Sequence, residues 1–255
     1  MGIPPPVNEL ILVFLAALLT ALATGLGAVP FAMVRDMSTR TIGVGHGLAA
    51  GAMIGASVGL VQEGSVHGVW PTWAGVALGL VAIAGGLHVL KRMQKHRQDA
   101  ADEGLQVRTW SSGAILVGIM TLHSFSEGIG VGVSWGGGDT LGWFVTLAIA
   151  IHNIPEGLAI SLVLVSQGSS VARAAWMSIV SSLPQPLVAV PAFMFVEQFR
   201  TVLPWGLGVA AGAMVWMSFS DLIPEAREAL SRRAVFASVA FALVGMLAVQ
   251  RLLAL

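Results

Sequence analysis

The sequence predicts an all-α integral membrane protein with eight transmembrane helices and an inverted repeat, in which spans 1–3 answer spans 6–8 and spans 4 and 5 are central. Three observations predict it. Of 255 residues, 56% are apolar and 10% charged, where a soluble domain carries roughly 25% charged residues. Eight apolar stretches reach the length of about 20 residues that a bilayer requires. Finally, GLAAGAMIGAS (47–57) and GVAAGAMVWMS (208–218) agree at seven of eleven positions.

The first stretch, about 8–34, follows a leader, MGIPPPVNEL, that has no Lys or Arg. It is too long for the apolar core of a signal peptide and reads as a span. The second, about 41–62, repeats Gly47, Gly51, Gly55 and Gly59 at every fourth residue, a spacing that lets two helix backbones approach closely. The third, about 70–90, ends at the longest polar connection, Lys91–Arg108. The fourth and fifth, about 109–134 and 140–165, carry histidines and glutamates, and Pro155 interrupts the hydrogen bonding of the fifth. The sixth, about 172–196, contains Pro184, Pro186 and Pro191, so a broken backbone is expected there. The seventh, about 204–224, ends near Asp221 and Glu225, an exit relay or an interfacial cap; the eighth covers about 232–253. The whole chain, 1–255, reads as a single membrane domain.

Basic residues mark the cytoplasmic side. With eight spans and an outer N-terminus, eleven of the thirteen Lys and Arg lie inside, from Arg35 and Arg40 through Lys91, Arg92, Lys95, Arg97 and Arg108 to Arg173, Arg227, Arg232 and Arg233. Only Arg200 and Arg251 fall outside. A multi-pass protein of a bacterial inner membrane with both termini outside is expected. Spans 2 and 7 then run in opposite directions, as in transporters whose substrate sits between inverted repeats. The balanced charge argues against a nucleic-acid partner. Without cysteine there is no disulfide, thiolate metal site or palmitoyl anchor. Whether two copies pair as a homodimer is not legible.

Ionisable side chains at membrane depth cost about 2.5–3.5 kcal/mol each on insertion scales and are functional candidates by default. HSFSEG (123–128) places His123 four residues before Glu127, and HNIPEG (152–157) places His152 four before Glu156. Each pair shares one helix face. Two private intrahelical ion pairs would explain that spacing; so would one shared site of two imidazoles and two carboxylates. Recurrence on consecutive, oppositely running spans favours the shared site, where two carboxylates cancel a divalent cation. Nitrogen and oxygen ligands suit Zn²⁺, Fe²⁺, Mn²⁺ or Cd²⁺ better than Cu⁺.

These motifs, with GLAAGAM (47–53), SLPQP (182–186) and AGAMVWMSFSDLIPEA (211–226), resemble the ZIP family of divalent metal transporters, in particular its GufA- and ZupT-like bacterial branch. The resemblance runs from about Gly47 to Glu228. It implies uptake of Zn²⁺, or of another divalent transition metal, into the cytoplasm through spans 4 and 5. The principal site would use His123, Glu127, His152 and Glu156, with Met53 as a soft additional ligand. A second site in the family falls on Ser124, Asn153 and Gln185 here. Two of those three depart from the pattern, and a carboxylate has become an amide. Ser126 also stands where the family motif has proline. One strong site and a weak or absent second one are therefore expected, and the single His96 makes metal sensing by the inner loop doubtful.

Outside these motifs, His46 and His88 read as interfacial or hydrogen-bonded, and His67 with Glu63 and Asp139 as a candidate outer mouth. Trp70, Trp73, Trp110, Trp135, Trp143 and Trp205 read as an interfacial belt. An intramembrane metallohydrolase is the rival from another class. HExxH is absent, and each Glu follows its His by four and looks used as a ligand. A metal-binding receptor would leave the inverted repeat unexplained.

Overall fold

A computed structural model describes residues 5–33, 38–102 and 112–252. Every described element is helical, and together they make eight crossings. Span 1 is Val7–Leu26, continued after a turn by Val29–Met33; span 2 is Thr39–His67. Span 3 opens the helix Val69–Asp102, span 4 is Ser112–Gly136 and span 5 is Asp139–Ser166. Span 6 is divided into Val171–Ser182 and Pro184–Gln198. Span 7 runs from Leu203–Met217 through a π-helical turn, Ser218–Leu222, into Ile223–Ala229; span 8 is Arg232–Leu252. Seven of the crossings are long and apolar enough to traverse a bilayer. Span 4 is not one of the seven, but its 25 residues, about 37 Å of helix, are long enough to cross.

Local chemistry sets the ends. Ser38 and Ser170 accept hydrogen bonds from Thr41 and Arg173 backbone N–H groups, capping spans 2 and 6. The turns after spans 4 and 5 pass through Gly138 (φ +115°) and Gly168 (φ +87°), conformations that favour glycine. Span 6 breaks at Leu183, before Pro184, as its prolines predict. The polar connection expected from Lys91 is instead helix as far as Asp102, because charge ends a membrane span without ending a helix. Arg35, Arg108 and Trp110 lie outside the described residues, as do the side chains of Lys91, His96 and Arg97.

Among those seven crossings, spans 2, 5 and 7 are the most enclosed, whereas spans 3 and 8 bury 22% of their apolar windows and turn residues such as Val81, Phe236 and Phe241 outward. The repeat is visible in which spans meet. Gly47 and Gly51 of span 2 lie against Ser238 and Val239 of span 8. The aligned Gly208 and Gly212 of span 7 lie against Thr72 and Val76 of span 3. If spans 1–3 answer spans 6–8, the pair 2–8 answers the pair 7–3. Even a side-chain bond repeats: Ser57 donates to the Met53 carbonyl (2.8 Å) and the aligned Ser218 to that of Met214 (2.9 Å).

The glycines that end the two His–Glu motifs seat the central spans. A Cβ on Gly128 would lie 2.7 Å from the Gln185 carbonyl oxygen of span 6; one on Gly157 would lie 1.7 Å from that of Thr24 in span 1. Spans 4 and 5 are thus each held, one residue after their glutamate, against one member of the related pair 1 and 6. Gly157→Ala is expected to destabilise by the 1–3 kcal/mol or more typical of overpacking (about 2 as a centre). Gly245→Ala, where a Cβ meets nothing within 4 Å, should leave thermal unfolding in detergent unchanged. Equal melting temperatures for the two variants would contradict this packing.

Candidate metal centre

Spans 4 and 5 bring His123, Glu127, His152 and Glu156 together, with ligand-type atoms all within 4.8 Å of one another. All four are at most 3% exposed. Neighbouring ligands of a tetrahedral Zn²⁺ with bonds of about 2.1 Å are about 3.4 Å apart, so the four could close on one ion by small movements.

The contacts cross between helices. Glu127 Oε1 meets Nε2 of His123 at 2.9 Å and Nε2 of His152 at 2.5 Å, while Glu156 Oε2 lies 3.7 Å from His123 Nε2. Two private intrahelical pairs would have joined His152 to Glu156; instead Glu127 is shared by both histidines. His152 Nδ1 also faces an acceptor, the Ala148 carbonyl at 3.2 Å. A neutral imidazole can donate to only one of its two acceptors. With its proton on Nδ1, Nε2 presents a lone pair toward the cluster, the usual arrangement of a metal-ligating histidine.

Glu156 is more telling. Both of its carboxylate oxygens are buried and make no hydrogen bond. Buried polar atoms are nearly always satisfied, and a carboxylate left bare in a low-dielectric interior is costly. A cation among these four groups removes that cost.

Beside the four donors lies an amide-rich network. Gln185 Nε2 donates to Glu127 Oε2 at 2.5 Å, and Asn153 Nδ2 donates to Gln185 Oε1 at 3.3 Å and to the Thr20 carbonyl at 2.9 Å. The Thr20 hydroxyl lies against Gln185 Oε1, and Ser124 donates to Ser182 at 3.5 Å, whose hydroxyl also meets that of Thr24 at 2.9 Å. The structure thus places Ser124, Asn153 and Gln185 in the hydrogen-bond network beside the cluster. Thr20 and Thr24 were not singled out from sequence. Their signal was two threonines one turn apart in an otherwise apolar span.

The remaining candidates separate. Met53 is fully buried in the apolar interior of span 2, on the element that packs against span 5. His67 pairs with Glu63 at 3.2 Å, while Asp139 lines a different cavity, of about 210 Å³, with Glu9, Glu197 and Arg200. His88 is exposed. His46, expected to be interfacial or hydrogen-bonded, is buried without a hydrogen bond. Trp70, Trp73, Trp143 and Trp205 face outward as a belt would. Trp135 does not: it is buried, donates to Thr146 at 3.2 Å and meets Trp143 edge-on, because its N–H has a partner inside. Ser126 donates to the His123 carbonyl within a span 4 that remains unbroken.

An eight-span helical bundle with a buried two-histidine, two-glutamate cluster defines a polytopic membrane protein whose interior could hold a metal ion. Residues 83–251 match the family described as ZIP zinc transporter. A protein named "Putative zinc transporter" from Arabidopsis thaliana is 43% identical over 94% of this chain, which spans 38% of that protein. The zinc transporter GufA of Myxococcus xanthus is 33% identical over 82% of this chain and 86% of its own length. The zinc transporter ZIPB of Bordetella bronchiseptica is 33% identical over 80% of the chain and 69% of its own length. The chain belongs to the ZIP zinc transporter family.

Removing the Gln185 donor without disturbing the four charged groups should loosen Glu127. Gln185→Leu is expected to weaken Zn²⁺ binding by about 10–100-fold, the usual cost of losing a partner that orients a ligand. Equilibrium dialysis of the purified protein reads this, and unchanged affinity would remove Gln185 from the site.

Proposed function

We propose that this chain carries Zn²⁺ across the membrane toward the cytoplasm, holding it in transit between spans 4 and 5. The observation that supports this best is the unpartnered Glu156 carboxylate facing His123 across the helix pair. In this reading His123, Glu127, His152 and Glu156 bind the ion, and the two carboxylates neutralise its charge. Met53 adds a soft contact from span 2. Fe²⁺, Mn²⁺ and Cd²⁺ fit the same donors, and zinc leads because the similar proteins are named for it.

One ion at the central cluster is the expected occupancy. A carboxylate at 185 would add a third acid beside Glu127. The amide instead directs an N–H at Glu127 Oε2, occupying the lone pair that a second cation would need. Ser124 and Asn153 bring no charge to replace it.

Inward direction and a bacterial inner membrane are taken from the family resemblance, and the orientation of the chain rests on the charge asymmetry. Arg40, Arg173, Arg232 and Arg233 sit at helix ends on one side; Arg200 and Arg251 sit at the other. Ion entry and release then follow from one group of helices shifting against the other around a fixed site, as the paired 2–8 and 7–3 contacts permit.

Flux of Zn²⁺ into proteoliposomes tests the proposal. Wild type should accumulate Zn²⁺ and Glu156→Ala should not, by at least about tenfold in initial rate. Protein that binds Zn²⁺ but moves none would sink the transport reading. Histidine and carboxylate bind metal only when deprotonated, so affinity should fall as pH is lowered from about 7.5 to about 5.5. A flat titration over that window would argue against His and Glu as ligands.

A further inference from the structure

A second polar cavity lies along span 5 beyond the central cluster, and the transport chemistry above makes no use of it. It holds about 450 Å³ and is bordered by His46 of span 2, Ala159 and Val163 of span 5, and Glu225 and Glu228 of span 7. Ala159 and Val163 follow Glu156 by three and seven residues, so the three share one face of span 5. Val163 is about 10 Å further along the helix axis. The cavity therefore lies between the level of the central site and the end of the bundle that carries Arg40, Arg173 and Arg232.

His46 gives the cavity its chemistry. The residue is 6% exposed, and neither ring nitrogen makes a hydrogen bond. Its Nδ1 stands 3.3 Å from Glu225 Oε2, close enough for an ion pair but not aligned for a hydrogen bond. A buried imidazole with both nitrogens unused is as anomalous as a bare carboxylate, and inside a membrane protein such a group marks an ion or proton path. A simple structural pairing would have aligned the ring with Glu225. Glu228 lies three residues further on, at the same cavity wall. One imidazole and two carboxylates are the donor types of the central site, with the same capacity to neutralise a divalent cation.

Two differences make this a looser site. Glu225 is 40% exposed at its side chain, so its oxygens remain hydrated. Among the described residues, only the central four gather their donors within 4.8 Å. A path that both captures and releases an ion needs binding to weaken toward its exit.

We propose that His46, Glu225 and Glu228 form a second divalent-cation site, weaker than the first, that receives the ion leaving Glu156. The assignment deepens the transport reading and rests on it, but its binding test does not. In the full-length His152→Ala/Glu156→Ala variant, whose central site is disabled, equilibrium dialysis should find one residual Zn²⁺ per chain. Its affinity should be at least about tenfold below that of wild type. Adding His46→Ala or Glu225→Gln should abolish it. No residual binding, or residual binding indifferent to both changes, overturns the proposal. In proteoliposomes, His46→Ala and Glu225→Gln should each slow Zn²⁺ entry about three- to tenfold while wild-type occupancy of the central site persists, the latter also reporting that each variant is folded. Glu225→Gln, at a half-exposed position, carries the test if His46→Ala fails to fold, and unchanged entry overturns the exit role. If wild type binds Zn²⁺ and moves none, the transport reading fails, and with it the exit role, whereas binding lost with His46 still identifies the site.

Discussion

Two carboxylates buried side by side are the constraint on which the rest of this structure depends. Glu127 and Glu156 sit at membrane depth with their side chains at most 3% exposed, where an isolated charge costs several kcal/mol, about 3 by insertion scales. Glu127 is offset by two imidazoles and an amide. Glu156 has only a distant approach from His123. The cluster is therefore electrostatically incomplete as a set of side chains, and a divalent cation would complete it. Under the proposed function binding and burial are one problem: the cost of placing the acids inside would be recovered when the ion arrives and met again when it leaves.

Holding two helices at the separation this requires is a task for small residues. Lipid offers no hydrophobic drive between spans, so close packing must supply the association. Gly128 and Gly157 bring spans 4 and 5 against spans 6 and 1 one residue beyond each glutamate, which fixes the height of the carboxylates relative to Gln185 and Thr24. The outer pairs 2–8 and 7–3 use the same device. A scaffold of backbone contacts between straight faces can slide or rock more readily than one of interlocked large side chains.

Much of this was legible in the sequence because membrane physics leaves few options. Spans are read from length and apolarity, and the gathering of His123, Glu127, His152 and Glu156 from the His–Glu spacing recurring in HSFSEG and HNIPEG. The family resemblance gathered Ser124, Asn153 and Gln185, which the fold does bring together. What escaped depended on contacts between distant segments. Spacing alone places His123 with Glu127 and His152 with Glu156, and cannot say that His152 turns to Glu127 instead. The helix beyond Lys91 escaped because charge marks where a membrane ends rather than where hydrogen bonding does. Trp135 escaped because its indole found Thr146. His46 looked interfacial because its neighbours in sequence gave no hint of Glu225, which is 179 positions further along the chain and meets it only through the packing of spans 2 and 7.

The central claim is that one ion is shared by two histidines and two glutamates from spans 4 and 5. X-ray absorption at the zinc edge on the purified, Zn²⁺-loaded protein tests it most directly. At one equivalent of zinc per chain, which fills the tighter central site, the account predicts nitrogen and oxygen neighbours at about 2.0–2.2 Å, imidazole scattering from two rings, and loss of one ring's contribution in His152→Ala. A spectrum without imidazole, or one unchanged by His152→Ala, would contradict it.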